Sequence, residues 1–211
     1  MRTHLRTTLT ALPLAGVLCA GLAAPAGAMP PGIPDPAQAR AELGQLTVAP
    51  DGSMDGYDRE KFPHWDEGPN NCNTREAVLK RDGEDVRVGS DCYPTSGTWV
   101  SPYDGGRWTK PKQLQIDHVV PLADAWRTGA AKWDQQRREA FANDLSSPQL
   151  VAVTANVNEE KSDQSPDHWM PPKADFACTY ASMWVGSKSK WKLTVTDAEK
   201  AALGRALDSC G

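Results

Sequence analysis

Two residue types that often take part in catalysis stand next to each other in the middle of the chain, where Asp117 precedes His118. Apolar residues on both sides predict a β-strand over residues 114–120, which Pro121 ends. Neighbouring side chains of a strand point to opposite faces, so the carboxylate can hold a metal ion while the imidazole approaches a substrate. An imidazole titrates near neutral pH, which suits a general base. A dipeptide is a short motif that chance also produces, so further residues must support this interpretation.

A second polar motif supplies that support. A short apolar run at residues 150–153 leads into a polar stretch, predicted to be helical, in which Asn158 and Lys161 are three positions apart. The implied order of elements is therefore strand, strand, helix. Between the two strands, residues 122–141 predict a helical insertion whose buried face carries four apolar residues: Trp126, Ala130, Trp133 and Phe141.

With these residues in place, the chain resembles the HNH (ββα-metal) endonucleases. The similarity is strongest to the branch that includes the C-terminal nuclease domain of GmrSD-type restriction enzymes and secreted actinobacterial nucleases. Residues 117–122 and 158–163 carry the resemblance, which extends more loosely from about residue 72 to residue 184. It implies an α+β fold with a ββα-metal (HNH) core, to which this chain adds a helical insertion, extra helices and disulfide staples.

The resemblance also implies roles for individual residues. Asp117 and Asn158 become the protein ligands of one divalent cation, and His118 becomes the general base. Ligands that are all oxygen atoms favour Mg²⁺ or Mn²⁺ over Zn²⁺. The secreted nucleases share a Cys-x-Thr-Arg segment, which makes Arg75 a candidate donor to a phosphate. A surface salt bridge is the alternative for Arg75.

One position departs from the pattern of the family. Nine positions before the final Asn, the family usually has another Asn, which braces the loop that carries the catalytic His. This chain has Gln149 there, with the same amide on a longer stem. We expect Gln149 to brace the loop, and Asn143 and Asn156 are the alternatives.

The resemblance implies a metal-dependent endonuclease that hydrolyses phosphodiester bonds of DNA, with RNA as a second candidate substrate. Contacts made mainly to the nucleic-acid backbone predict low sequence specificity, and we expect a monomer. Two other classes of protein remain open. One is a non-catalytic secreted binding module with the same fold. The other is a cell-wall hydrolase, for which eight Trp could line a glycan groove, although no Asp/Glu pair stands out.

The N-terminus predicts export. Arg2 and Arg6, an apolar run over residues 9–24 and the sequence Ala-Gly-Ala at 26–28 together indicate a secretory signal at residues 1–28. The mature protein is then extracellular and makes no contact with a membrane. Residues 29–56 are rich in Pro, Gly and Ala, which predicts a flexible lead with one short helix around 37–46, before a nuclease domain at 57–211.

Charge and cysteine content narrow the possibilities further. Without the signal, 183 residues remain, with 21 basic and 27 acidic side chains and a net charge of −6. Such a chain does not wrap nucleic acid by broad electrostatic attraction, although a local basic cleft or a bound cation can still hold phosphate. Four cysteines in an exported chain predict two disulfides in one of three connectivities. Because each closes a short loop, we favour Cys72–Cys92 and Cys178–Cys210 over the other pairings and over a zinc site.

The flanking regions predict ordinary supporting elements. Residues 86–88 and 98–100 are candidate strands of a hairpin. Phe176, Tyr180 and Trp184 recur at the spacing of a buried helix face. Thr196 and Glu199 fit a capping box at the start of a last helix.

Overall fold

The computed structural model describes residues 29–210, so the predicted secretory signal at residues 1–28 lies outside the described residues. The described chain is an α+β protein with seven α-helices, two small antiparallel sheets and two disulfide bonds. In chain order the elements are α1 (Pro36–Gln45), α2 (Thr74–Asp82), β1 (Gly83–Val88), β2 (Pro94–Val100), β3 (Arg107–Trp108), β4 (Leu114–His118), α3 (Leu122–Arg127), α4 (Gln135–Ala142), β5 (Leu150–Thr154), α5 (Ala155–Lys161), α6 (Ala177–Trp191) and α7 (Asp197–Asp208).

The two-stranded sheet carries the Asp-His pair. Strands β4 and β5 run antiparallel, with Asp117 opposite Val151 and His118 opposite Leu150. All five residues of β5 are buried, which explains the apolar run at residues 150–153, since a strand covered on both faces has no polar side. Helix α5 begins directly after β5. The predicted order of strand, strand and helix is therefore present.

Helix α2 holds the two-stranded sheet from outside. At its C-terminal end, Arg81 donates to the carbonyl of Leu150 (2.6 Å), and the carboxylate of Asp82 accepts from the amide of Ala152 (2.8 Å). These two side chains satisfy backbone groups of β5 that β4 does not pair with, so the strand edge does not remain open. The same helix begins with a capping box, in which Asn73 is the N-cap.

The three-stranded sheet packs beside this unit. Strands β1 and β2 form the predicted antiparallel hairpin, and the short strand β3 pairs with β2. Trp99 on β2 is buried and donates through its indole nitrogen to the carbonyl of Leu79 on α2 (2.7 Å). Trp108 on β3 donates to the hydroxyl of Thr154 at the end of β5 (2.8 Å). The hairpin is thus attached to both α2 and the second sheet.

The short helix predicted around residues 37–46, within the segment predicted as a flexible lead, is present as α1 and is part of the core. Helix α1 packs against α6 and α7, with Ala39 and Leu43 buried. The backbone after α1 is also held in place, because the amide of Ala49 donates to the carbonyl of Val195 (2.9 Å). The Pro and Gly content suggested mobility, but one apolar pair at helical spacing is enough to dock the segment.

The predicted helical insertion is broken into three pieces. Helices α3 and α4 are separated by a turn of 3₁₀-helix at Ala130–Lys132, which begins after Gly129. The φ angle of Gly129 is 145°, in the region that favours glycine, and this conformation ends α3. The predicted buried face is otherwise present: Trp126, Ala130 and Phe141 are buried, and Trp133 is half-buried.

Two disulfides close the chain as favoured, between Cys72 and Cys92 and between Cys178 and Cys210. The second ties the start of α6 to the residues after α7. The predicted capping box of α7 is also present, with Thr196 as N-cap and Glu199 bonded back to it. Among residues 29–210, none of the helices is long and apolar enough to cross a membrane.

The long helices are joined by a buried charge cluster that the sequence did not reveal. The ammonium group of Lys188 on α6 lies 2.8 Å from Asp124 on α3 and 2.8 Å from Glu199 on α7. All three side chains are almost fully buried. Buried charges need partners of opposite sign, so this cluster fixes how α3, α6 and α7 meet.

The loop before β5 is fastened to α6 by Asp144. Its carboxylate accepts from Ser147 (2.6 Å), from Lys190 (2.7 Å) and from the indole of Trp191 (2.9 Å). Burial raises the pKa of this carboxyl, but the hydrogen bonds from Lys190 and Ser147 outweigh burial, and the pKa is lowered overall. The ionised form therefore stabilises the fold.

We predict that Asp144→Asn lowers the free energy of unfolding at pH 7 by about 1–3 kcal/mol, since charge-assisted hydrogen bonds are lost. A lowered folded pKa contributes stability above the unfolded aspartate pKa of about 4, and this stability is lost as the pH falls below it. The difference between wild type and variant should thus narrow in acid. Urea denaturation across this pH range measures it, with Asp208→Asn as an exposed control. An equal difference at every pH would contradict the assignment.

Candidate active site

A cavity of about 330 Å³ opens over the end of β4. Its walls include Asp117 and His118 from β4 and Asn158 from α5. Asn158 lies at least 40 residues after the other two in sequence. The antiparallel pairing of β4 and β5 brings these residues together, because α5 starts where β5 ends and packs back on β4. The fold therefore places the three predicted site residues around one space.

Asp117 is held by two strong hydrogen-bond donors. Its Oδ2 accepts from the hydroxyl of Tyr103 (2.6 Å), and its Oδ1 accepts from the ammonium group of Lys161 (2.8 Å). The carboxylate is 4% exposed. Burial raises the pKa of Asp117, while the charge and hydrogen bond of Lys161 and the hydrogen bond of Tyr103 oppose this rise. Each carboxylate oxygen keeps capacity for a further partner.

Lys161 is fully buried at the end of α5 and also donates to the carbonyl of His118 (3.1 Å). One ammonium group thus connects α5 to two consecutive residues of β4. Neither Lys161 nor Tyr103 was given a role by sequence reasoning. The spacing of Lys161, one helical turn after Asn158, was a usable signal, whereas Tyr103 lies in a turn that offers no signal.

The imidazole of His118 has a defined orientation. Its Nε2 lies 2.9 Å from the carbonyl oxygen of Ala142. A carbonyl only accepts, so Nε2 carries the proton and Nδ1 carries the free lone pair of the neutral ring. Within residues 29–210, no hydrogen-bond partner contacts Nδ1. Burial lowers the pKa of His118 to about 3, so the ring is neutral at physiological pH.

Two aromatic rings enclose the outer side of this imidazole. The ring centroid of Trp65 lies 5.7 Å from that of His118, and the centroid of His64 lies 6.1 Å away. His64 and Trp65 contact each other edge to face, as expected of a packed aromatic pair. These rings restrict the rotation of His118.

Asn158 presents an amide to the same cavity. Its nitrogen donates to Oε1 of Gln115 on β4 (2.8 Å), and Gln115 donates in turn to Glu159 (2.9 Å). This chain of hydrogen bonds orients the amide. In the described part of the chain, the carbonyl oxygen Oδ1 of Asn158 has no hydrogen-bond donor, so it remains able to bind a cation or a donor.

Gln149 lies beside the cavity and braces the loop after His118. Its side-chain nitrogen donates to the carbonyl of Val120 (2.7 Å), and its side-chain oxygen accepts from the amide of Val120 (3.3 Å). The residue is fully buried. Of the alternatives for this position, Asn143 bonds to the carbonyls of Pro63 and Glu139, and Asn156 is exposed on α5. Gln149 is the residue in contact with the loop.

Arg75 is not among the residues that line the cavity. Its guanidinium donates to the carbonyls of Pro111 (3.3 Å) and Leu114 (3.4 Å), where the chain enters β4. Among the residues that the structure describes, it has no salt-bridge partner. The structure instead gives Arg75 the same clamping function on β4 that Arg81 has on β5.

The donors at the cavity fit a hard divalent cation. The carboxylate of Asp117 and the free amide oxygen of Asn158 are oxygen ligands, the type preferred by Mg²⁺. No group of three or more His, Cys, Asp or Glu side chains suited to a metal occurs within residues 29–210. Two protein ligands with water at the other positions is a common arrangement for Mg²⁺.

A family model, the C-terminal domain of GmrSD restriction endonucleases, matches residues 75–206, well over half of the chain. The chain belongs to this family. The match spans from α2 into α7 and includes Asp117, His118 and Asn158. Membership of the GmrSD C-terminal domain family indicates a nuclease-type hydrolase that acts on nucleic acid.

The chain is also similar to a protein of the fungus Arthroderma benhamiae that is described as an uncharacterized secreted protein. The two are 54% identical over 181 residues, which cover 86% of this chain and 89% of the fungal protein. No solved structure matches the chain.

We predict that Lys161→Met lowers the free energy of unfolding at pH 7 by about 3–5 kcal/mol, because it leaves the Asp117 carboxylate buried without its counter-ion. The loss should shrink in acid, where Asp117 becomes protonated. The double variant Asp117→Asn, Lys161→Met carries no unpaired buried charge and should be more stable than Lys161→Met alone.

Urea denaturation of the two variants and the wild type measures these differences. Lys132→Met is the matched control, because Lys132 is exposed and its loss should change stability by no more than about 0.5 kcal/mol. A double variant no more stable than Lys161→Met would disprove the ion-pair interpretation.

Proposed function

We propose that the protein is a secreted HNH-type endonuclease that uses a divalent cation to hydrolyse phosphodiester bonds of DNA, with a ββα-metal core formed by β4, β5 and α5. The observation that carries the proposal is the meeting of Asp117, His118 and Asn158 in one cavity. Family membership supports nuclease chemistry independently of this geometry. RNA shares the phosphodiester linkage and is the second candidate substrate.

His118 is the proposed general base. Its Nδ1 removes a proton from a water molecule, which then attacks phosphorus and breaks the bond to the 3′ oxygen. The hydrogen bond from Nε2 to the carbonyl of Ala142 holds the required tautomer before and after the proton arrives. Gln149 fixes the loop that follows His118, so the base stays in place as the charge on the ring changes.

Asp117 and Asn158 are the proposed cation ligands. When bound, Mg²⁺ or Mn²⁺ supplies positive charge for the transition state and the leaving oxygen. Tyr103 and Lys161 hold the carboxylate of Asp117 in position. Gln115 accepts a hydrogen bond from the amide nitrogen of Asn158. The carbonyl oxygen of Asn158 is therefore the atom left to bind the cation.

The wider properties of the chain are consistent with an extracellular enzyme. The Arthroderma relative is described as secreted, the first 28 residues have the features of a signal peptide, and two disulfides suit an oxidising compartment. A net charge of −4 for the whole chain argues against extended electrostatic contact with nucleic acid. We therefore propose that the protein is a monomer that contacts its substrate mainly at the scissile phosphate. Contacts of this kind give low sequence specificity.

We predict metal-dependent plasmid cleavage by the purified protein. Mg²⁺ or Mn²⁺ should support nicking, EDTA should abolish it, and His118→Ala should reduce it by about 10²–10⁴-fold, the usual contribution of a general base. Agarose-gel conversion of supercoiled to nicked and linear DNA measures the rate. Parallel reactions with a labelled RNA compare the two substrates.

The variants separate the base from the ligands. Asn158→Ala should raise the concentration of Mg²⁺ needed for half-maximal rate, whereas His118→Ala should lower the rate at saturating Mg²⁺. Asn156→Ala is the matched control, because Asn156 is exposed on the same helix. If the folded wild-type protein cleaves no DNA with either metal, the enzyme proposal is wrong and a non-catalytic binding module is favoured. Cleavage that survives His118→Ala would leave a nuclease with a different base.

A further inference from the structure

We propose that Arg59 is the residue that binds the scissile phosphate, in a substrate site assembled from a segment outside the HNH-like core. This inference rests on the proposed nuclease function. Arg59 lines the same cavity as Asp117 and His118, although it lies more than 50 residues before them. It is also outside residues 75–206, which the family model matches.

The segment that carries Arg59 is firmly attached to the core. Phe62 is fully buried and packs edge to face against Trp126 and Phe141, with centroid distances of 6.4 Å. On the other side, Tyr57 packs edge to face on Trp126 at 5.9 Å. Arg59 starts a turn of 3₁₀-helix between these two anchors. A fixed backbone on both sides presents its exposed side chain to the cavity at a reduced entropic cost.

Two carboxylates near Arg59 already have other partners. Asp58 accepts from the amide of Glu60 (2.9 Å) as the N-cap of the turn. Asp163, on the cavity wall, is paired with Arg127 at 2.9 Å. In residues 29–210, Arg59 itself forms no ion pair. Its guanidinium is therefore available to an anionic ligand.

The charges around the cavity leave Arg59 as the basic residue that faces a ligand. Asp117 and Asp163 contribute two negative charges, which Lys161 and Arg127 balance through direct pairs. His118 is neutral. Among the described residues that line the cavity, Arg59 is thus the remaining cation. A phosphate that approaches a chain of net negative charge needs such a local partner.

The position of Arg59 also suits the transition state. Arg59 lines the same cavity as His118, the proposed general base. A guanidinium can bind two non-bridging phosphate oxygens at once, and these oxygens gain negative charge as water attacks.

We predict that Arg59→Gln lowers kcat/KM for DNA cleavage on the order of 10- to 100-fold, the usual cost of one charge-assisted hydrogen-bond donor. Arg59→Lys should recover only part of the rate, because lysine keeps the charge but not the bidentate geometry. The melting temperature should stay unchanged, since the side chain is exposed. Arg87→Gln is the matched control: Arg87 is exposed on β1 and does not line the cavity.

A binding measurement tests the inference without turnover. In the His118→Ala background with EDTA, fluorescence anisotropy of a short labelled oligodeoxynucleotide should show weaker binding when Arg59→Gln is added. The slope of log affinity against log salt should become shallower by about 0.7, the value for one phosphate contact on a single strand. Arg75→Gln should lower the melting temperature but leave this slope intact, because Arg75 contacts backbone carbonyls.

The outcomes distinguish the two proposals. An active wild type whose Arg59→Gln variant keeps its rate, affinity and salt slope would overturn the role of Arg59 and leave the nuclease standing. An inactive wild type would refute the nuclease, while the anisotropy experiment would still decide whether Arg59 binds phosphate. Full recovery of the rate by Arg59→Lys would refute bidentate binding.

Discussion

A buried ion pair between Asp117 and Lys161 is the interaction on which the rest of the candidate site depends. An ionised carboxylate that is 4% exposed is costly unless a partner compensates it. The ammonium group of Lys161 and the hydroxyl of Tyr103 provide this compensation from α5 and from the loop after β2. Because Lys161 also holds the carbonyl of His118, the position of α5 relative to β4 follows from this contact. Asn158, on the same helix, is then delivered to the cavity.

Around this pair, side chains rather than further strands complete the two-stranded sheet. A sheet of two strands is marginal by itself in water. Here Arg75 holds the entry to β4, while Arg81 and Asp82 satisfy the outer edge of β5. Gln149 fixes the loop that leaves β4. All four are polar groups in contact with backbone, which explains how such a small sheet can hold the proposed catalytic side chains within a narrow range of positions.

The distribution of positive charge separates structure from proposed function. Lys161 and Lys188 are fully buried and serve as counter-ions to carboxylates. Arg127 is shared among Asp51, Asp124 and Asp163, of which Asp163 lines the cavity. These basic side chains are therefore already paired with carboxylates of the protein. The cation that is left facing the cavity gains importance for that reason, which is the basis of the inference about Arg59.

The local elements of this protein follow from the sequence by itself. The apolar patterns of β4 and β5 and the capping box of α7 are each encoded within short segments, because strand formation and helix capping need few neighbours. The four cysteines after residue 28 indicate two disulfides by their number alone. The grouping of Asp117, His118 and Asn158 was also predictable through the family motif. In the structure these three residues line one cavity.

Only the tertiary structure decided which partners these residues have. Tyr103 and Lys161 are 14 and 44 residues from Asp117 in sequence, so no local pattern relates them. Two further features have the same origin: α1 packs on the core, and Arg59 rather than Arg75 lines the cavity. Burial and ion pairing depend on which surfaces meet after folding, and an apolar pair or a lone arginine is compatible with many such surfaces.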